Sequence, residues 1–206
     1  IARAEIQKEG RKLSESRKKV APKLVIEAEK QLNDLGFLQS RFDVEIVDPN
    51  ELGLKSESIS RNGFDQIVFL FAPNPGEPFK PLKSIASSGE MARVMLALKT
   101  VLASQDSIPI LIFDEVDANV GGETASVVGQ KMHQIGSKRQ VLCITHLAPV
   151  AATGSRHYLV EKEVENDRTL TRVRLLTENA RIDELTRMLG GSGDAARHHA
   201  EELLKP

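Results

Sequence analysis

The hydrophobic pattern at the start of the chain predicts one long helix over residues 1–36. Apolar residues recur every seven positions at Ile6, Leu13 and Val20, and an apolar stripe continues beyond them. Pro22 predicts a kink or a break, and Gly36 a C-terminal stop. The pattern fits either the base of a coiled-coil arm or an amphipathic helix packed on its own domain. Periodicity alone favours the second, because a coiled coil needs sustained heptads.

Strand and helix patterns alternate along the rest of the chain. Strands are predicted at 42–47, 67–72, 109–113 and 140–144, helices at 90–104 and 125–136, a β-hairpin at 158–165 with 169–176, and a helical tail at 182–204 that breaks at Gly190-Gly191. Residues 48–63 and 72–81 read as irregular connections. The strand–helix–strand order over 109–144 predicts parallel neighbours, and hence an α/β fold.

Composition narrows the class of protein. The 206 residues suffice for one domain or a domain with an appendage, and the 28 basic and 29 acidic side chains give a net charge of −1. This balance predicts no bulk attraction to DNA or to an anionic membrane. The apolar stretches are too short to cross a bilayer, and no secretory signal is visible. The lone Cys143 suggests a cytoplasmic protein, and the start at Ile1, within a charged helical pattern, suggests a piece of a longer one.

Candidate chemistry begins at the end of the predicted strand 109–113, where an apolar run stops at Asp114-Glu115. Ligand groups of open parallel sheets lie at the carboxyl ends of strands. A carboxylate there can hold the water shell of Mg²⁺, and its neighbour can orient an attacking water. A buried strand with a merely solvated acidic end is about as probable from this segment alone.

Three further segments share this order along the chain. Ser87-Ser88-Gly89 precedes a helix, where backbone amides favour an anion, although an ordinary N-cap is the simpler interpretation. Asp117 follows the acidic pair and could be a plain turn former. His146 ends the strand 140–144, within reach of a phosphate or a water; the other four histidines are interpreted as structural.

Together these segments resemble the C-terminal half of an ABC-type ATPase head of the SMC-like branch, and within it a family of bacterial DNA-repair proteins. The resemblance extends from about residue 11 to the end and includes the stretches 74–78, 86–99, 113–117, 145–147 and 187–191. It implies an α/β lobe with a mostly parallel sheet flanked by helices. In this interpretation residues 1–36 form the helical base of a coiled-coil arm and residues 37–206 the lobe itself.

The resemblance implies a role for each candidate residue. Asp114 would be the Walker B aspartate beside Mg²⁺, Glu115 the catalytic glutamate, and His146 the switch histidine on the γ-phosphate of ATP. The signature residues Ser87, Ser88 and Gly89 would contact the γ-phosphate bound to a second head. Asp117 would belong to the D-loop at the head–head interface.

The chain also departs from the family pattern. Ser88 replaces the usual first signature glycine, and Asn119 follows the D-loop where the family more often has glycine; asparagine tolerates left-handed backbone there. No P-loop sequence is present, so the resemblance implies a missing N-terminal lobe as partner and no turnover by the fragment alone.

The remaining implied partners are a second head of a homodimer and DNA, in the cytoplasm at the nucleoid. DNA contact could use the basic cluster Arg11-Lys12, Arg17-Lys18-Lys19 and Lys23, although a solvated helix face is the simpler interpretation. The alternatives are a non-catalytic dimerisation or scaffold module, favoured by Ser88, and another SMC-type chromosome or repair ATPase.

Overall fold

The computed structural model describes residues 2–47, 62–165 and 168–205. The chain forms two compact units, Ile1–Asp106 and Ser107–Pro206. The predicted loop 48–63 lies mostly outside the described residues, as does the hairpin turn at Asn166-Asp167.

Helix α1 dominates the first unit and runs without interruption over Ala2–Asp34, passing through Pro22. The break predicted at this proline is therefore absent. Pro22 is exposed, so water can satisfy the carbonyl that loses its helical partner, and tertiary contacts hold the helix on both sides of it. The stop predicted at Gly36 is confirmed, because this residue follows the helix with a left-handed φ of 90°.

Residues 62–65 cross α1 and fix its first half. The Phe64 ring lies over Gly10, where a Cβ atom would come within 2.0 Å of the ring. Asp65, whose side chain is fully buried, accepts hydrogen bonds from Ser14 at 2.6 Å and Arg17 at 2.8 Å. Burial raises the pKa of Asp65, but these bonds and the Arg17 charge outweigh it, so the pKa lies below its ordinary value.

The second half of α1 packs on an antiparallel sheet in the order β1-β2-β3, formed by Arg41–Val47, Gln66–Ala72 and Lys80–Pro81. Phe42 and Phe71 face each other in the register and are almost fully buried, together with Leu32 of α1 and Leu35 directly after it. Glu29 accepts a hydrogen bond from the Phe42 amide at 3.0 Å, which joins helix and strand. A 3-10 turn at Leu82–Ser84 leads to helix α2, Ser88–Val101, which packs against α1.

The second unit begins with strands β4, Ile110–Phe113, and β5, Gln140–Cys143, which pair in parallel as predicted. Helix α3, Gly122–Gly136, connects them and buries Val128 and Ile135. The short helix α4, Ala148–Ala152, follows β5 and packs on α3.

A hairpin and two helices complete this unit. Strands β6, Tyr158–Glu165, and β7, Arg168–Leu175, pair antiparallel, and helices α5, Glu178–Met188, and α6, Asp194–Leu203, flank the predicted break at Gly190-Gly191. Leu185 of α5 is fully buried in an apolar cluster with α4 and α6.

The predicted α/β class and the parallel pair are confirmed, and parallel pairing is confined to β4–β5 among the described strands. The sequence prediction missed β3 and α4, because two paired residues and a five-residue helix carry almost no periodic signal. None of the described helices has the length and apolar character needed to span a membrane.

The contact between Gly10 and Phe64 predicts that alanine at position 10 is less favourable than glycine, the reverse of the usual order in helices. Alanine normally stabilises a helix interior over glycine by about 1 kcal/mol. We expect Gly10→Ala instead to lower the free energy of unfolding by ~1–3 kcal/mol, because the Phe64 ring has to move. In a Phe64→Ala background the same change should be stabilising. Urea unfolding of the parent and the three variants measures this sign change. Stabilisation by Gly10→Ala in both backgrounds would contradict the contact.

Candidate functional site

The turn after β4 has two exposed residues followed by two buried ones. Asp114 and Glu115 are exposed, whereas Val116 is fully buried and Asp117 is 2% exposed. The buried valine anchors the turn in the second unit. Asp114 and Glu115 therefore project from the carboxyl end of β4, where the sequence predicted a chemical role for them.

Left-handed backbone occurs twice in this turn. Glu115 has a φ of 57° and Asn119 a φ of 58°. The tolerance predicted for Asn119 is confirmed, since asparagine is among the residues that adopt this region readily. Glu115 has no such preference, and left-handed backbone costs roughly 1–2 kcal/mol at an ordinary residue. The fold thus holds the candidate water-orienting carboxylate on a strained backbone, a feature that clusters at functional sites.

The buried Asp117 carboxylate joins this turn to the end of β5. Its Oδ2 accepts hydrogen bonds from the Thr145 hydroxyl and from the backbone amide of His146, the latter at 3.2 Å. The His146 Nδ1 atom lies 3.6 Å from the same oxygen, while the imidazole remains 74% exposed. The structure thus brings together two residues that the sequence placed 29 positions apart.

The thiol pKa of Cys143, the last residue of β5, is affected by the carboxylates of Asp117 and Asp114. Burial raises the pKa of its thiol to about 12, and the negative charges of Asp117 and Asp114 contribute to the rise. Both carboxylates therefore lie close enough to Cys143 to act on it electrostatically.

The residues around Asp114 fit one mode of Mg²⁺ binding. Among the described residues, no three histidine, cysteine or acidic side chains converge as a metal cage. Mg²⁺ usually binds through one or two carboxylates together with waters and substrate phosphates. One exposed carboxylate at a strand end suits that mode and does not suit a metal site made by protein ligands alone.

The signature segment lies in the first unit, at the N-terminus of α2. Ser87 is the N-cap, and its Oγ atom accepts a hydrogen bond from the Glu90 amide at 3.3 Å. The ordinary capping role proposed as the simpler interpretation is therefore present. Ser88 is exposed and Gly89 buried, and Ser88 lies outside the left-handed region, so serine causes no backbone strain there.

The basic cluster of α1 is partly committed to the fold. Arg17 binds Asp65 and donates to the Asn62 carbonyl at 2.6 Å, and Lys12 pairs with Glu9 at 2.7 Å. Arg11, Lys19 and Lys23 are exposed on the helix. This distribution matches the interpretation of a solvated helix face.

Thr145 is the residue of this site to which the sequence reasoning assigned no role. Its position directly before His146 at the end of a predicted strand was the available signal. Threonine is common in strands, so its hydroxyl became informative only once Asp117 was seen beside it.

Comparison with solved structures identifies the class of fold. The chain matches the Smc head domain with a coiled coil and joint from Pyrococcus yayanosii with a TM-score of 0.54 and 16% identity, covering 88% of this chain and 29% of that one. It matches the Smc head domain from Pyrococcus furiosus, solved with the C-terminal domain of ScpA, with a TM-score of 0.51 and 15% identity, over 80% of this chain and 37% of that one. The chain has the fold of an SMC head domain.

Sequence comparison identifies the particular relatives. No protein-family model matches the chain. It is 42% identical over 204 residues to the DNA repair protein RecN of Treponema pallidum, covering 98% of this chain and 35% of that protein. Identity to RecN of Bacillus subtilis is 39%, over 96% of this chain and 36% of the relative. The chain is homologous to RecN over nearly its whole length and spans about a third of the length of these relatives.

The raised pKa of Cys143 predicts slow alkylation in the native state. With a thiol pKa of about 12, compared with 9.0 for an unperturbed thiol, iodoacetamide at about pH 8 should react roughly 10³-fold more slowly than with the urea-unfolded chain. Asp117→Asn should accelerate the native reaction, because removing a negative charge lowers the thiol pKa. Asp183→Asn, which removes an exposed carboxylate from α5, is the matched control. Equal native and unfolded rates would contradict the prediction.

Proposed function

We propose that this chain is the C-terminal lobe of a RecN-type, SMC-like ATPase head. The whole protein would bind and hydrolyse ATP with Mg²⁺, dimerise through its heads, and act in DNA double-strand break repair and recombination. The homology to proteins named DNA repair protein RecN and the fold of an SMC head support this proposal.

The geometry at the ends of β4 and β5 carries the proposal. These neighbouring parallel strands are followed by Asp114-Glu115, directly after β4, and by Thr145-His146, which come after β5 and Ile144. The carboxyl ends of parallel strands are where such sheets bind ligands. An exposed acidic pair and an exposed imidazole that follow neighbouring parallel strands match the needs of phosphoryl transfer, in which positioning and charge stabilisation provide most of the catalysis.

Each of these side chains receives one task. Asp114 would hold the water shell of Mg²⁺, which would neutralise charge on the phosphates. Glu115 orients the attacking water and accepts its proton, for which its exposed carboxylate is accessible. His146 contacts the γ-phosphate through the part of its ring that faces solvent.

The signature segment would serve the nucleotide of a second head. Ser87 contributes its hydroxyl, and Ser88 and Gly89 contribute backbone amides at the N-terminus of the 14-residue helix α2. Such amides and the helix dipole favour an anion. Asp117 would link the two sites; since its carboxylate is buried, we place this influence on its contacts with residues 145–146.

One face of the β4–β5 pair in the second unit is apolar and exposed. Four large apolar residues on β4, on β5 and directly after β5 are 43–68% exposed: Ile110, Ile112, Leu142 and Ile144. Parallel sheets normally have both faces covered. We assign this face to the P-loop-bearing N-terminal lobe of the longer protein.

Residues 1–36 would be the base of a coiled-coil arm and residues 37–206 the head lobe. Ile6, Leu13 and Val20 support the first assignment, because each is at least 39% exposed on α1 and available to a second helix. DNA would be a partner of the whole protein, at the nucleoid in the cytoplasm. Exposed cations such as Arg11, Lys19 and Lys23 are the candidate phosphate contacts.

The 206-residue chain should bind ATP weakly and show no steady-state hydrolysis, because it lacks the segment that grips the phosphates. Phosphate release from the purified chain measures this directly. Mixing in the separately expressed N-terminal lobe should restore turnover. Hydrolysis by the chain alone that disappears in Glu115→Gln would overturn the division into lobes.

In the full-length protein, Glu115→Gln should lower kcat by about 10²–10⁴-fold, the usual contribution of a general base. ATP binding should persist, and the variant should accumulate as an ATP-dependent head dimer in size-exclusion chromatography. Glu123→Gln, in the first turn of α3, is the matched control and should behave as the parent. Hydrolysis by Glu115→Gln at the parent rate would remove Glu115 from its role.

A further inference from the structure

The carboxylate of Asp117 is unusual among its neighbours because it is buried while Asp114 and Glu115 are exposed. A buried charge is costly unless donors compensate it. Here the donors come from two consecutive residues at the end of β5, Thr145 and His146. The contact therefore fixes the D-loop turn and the histidine segment relative to each other within one unit.

The direction of the Thr145 hydroxyl proton follows from its partners. A carboxylate accepts and cannot donate, so the hydroxyl donates its single proton to Asp117 Oδ2. Its lone pair then accepts from the Leu147 amide at 3.0 Å. The weaker alternative, donation to the Leu147 carbonyl, spans 3.5 Å. The Thr145 hydroxyl thus binds two partners at once: the Asp117 carboxylate and the backbone amide of Leu147, which follows His146 in the chain.

The same carboxylate lies beside the imidazole, at a distance longer than a hydrogen bond but short enough for electrostatic attraction. The His146 amide donates to Asp117 Oδ2, and the ring Nδ1 faces that oxygen at 3.6 Å. A neutral ring in this position carries its proton on Nδ1, because an Nδ1 lone pair would face a negative oxygen. Carboxylates fix the tautomer of metal-binding histidines in the same way. The Nε2 atom is left for the solvent side, where the ring is exposed.

We propose that Thr145 is a positioning residue for His146 and acts through Asp117. Its hydroxyl fixes the carboxylate that favours a proton on Nδ1, so that Nε2 lies on the exposed side of the ring, where its protonated form donates to the γ-phosphate. The purpose of this arrangement rests on the proposed function. The contact of Thr145, Asp117 and His146 itself can be tested without ATP turnover.

The first experiment uses the 206-residue chain with ¹⁵N-labelled histidine. Long-range ¹H–¹⁵N spectra, recorded at an alkaline pH beyond which the ring nitrogen signals no longer move, report the tautomer of each ring. His146→Gln assigns the signal. We expect the Nδ1–H form in the parent chain and in Thr145→Ser, which keeps the hydroxyl. Thr145→Val, of similar shape but without a hydroxyl, and Asp117→Asn should shift His146 towards the Nε2–H form.

His133 provides the folding control in the same spectra. Its Nδ1 atom lies 2.9 Å from the Thr153 carbonyl in the same unit, away from Asp117. Its signal should be unchanged in Thr145→Val. An Nε2–H form of His146 in the parent chain, or an Nδ1–H form that survives in Thr145→Val, overturns the proposal.

The second experiment uses turnover by the full-length protein. Thr145→Val should lower kcat by about 10–100-fold while KM for ATP stays within about twofold, as misplacement of a catalytic group does. Thr145→Ser should restore most of kcat. In the His146→Gln background, Thr145→Val should cause no further loss, because its effect passes through His146.

The two experiments separate the proposals. A full-length parent without ATPase activity refutes the proposed function, and the spectra still decide the positioning role. An active parent in which Thr145→Val and His146→Gln reduce kcat multiplicatively refutes positioning through His146 and leaves the proposed function intact.

Discussion

The buried carboxylate of Asp117 is the constraint on which the second unit's candidate site depends. It lies in the turn after β4 and takes its hydrogen bonds from Thr145 and His146, at the end of β5. Parallel pairing brings the two strand ends to one edge, and the carboxylate then fixes the two turns to each other. Because a buried charge without donors is destabilising, the turn after β4 and the segment of Thr145 and His146 are linked in position.

The same unit stores strain next to this constraint. Glu115 adopts a left-handed backbone between exposed Asp114 and buried Val116, and the surrounding turn maintains it. The first unit uses another buried carboxylate for a different purpose. Asp65 binds Ser14 and Arg17 and holds residues 62–65 across α1. Arg17 is thereby committed to the fold, although the sequence groups it with exposed cations.

Most of the fold was predictable because periodicity reports burial over long segments. The parallel order of β4 and β5 followed from an apolar strand, a helix and a second apolar strand, and the stop at Gly36 from the backbone freedom of glycine. Short elements were not predictable in this way: β3 exists because Lys80 and Pro81 meet β2, a tertiary contact that leaves no pattern. Of the kink or break predicted at Pro22, the break is absent, because contacts distant in sequence hold α1 as one helix.

The sequence by itself determined the chemical groups of the second unit's candidate site and their order: Asp114, Glu115, Asp117 and His146. It determined this because strand ends can be read from where apolar runs stop. Tertiary structure alone decided that Asp117 is buried while its acidic neighbours are exposed, and that Thr145 binds it. Burial and hydrogen bonding between separate turns depend on how two strands pair in space, and a one-dimensional pattern carries no information about that distance.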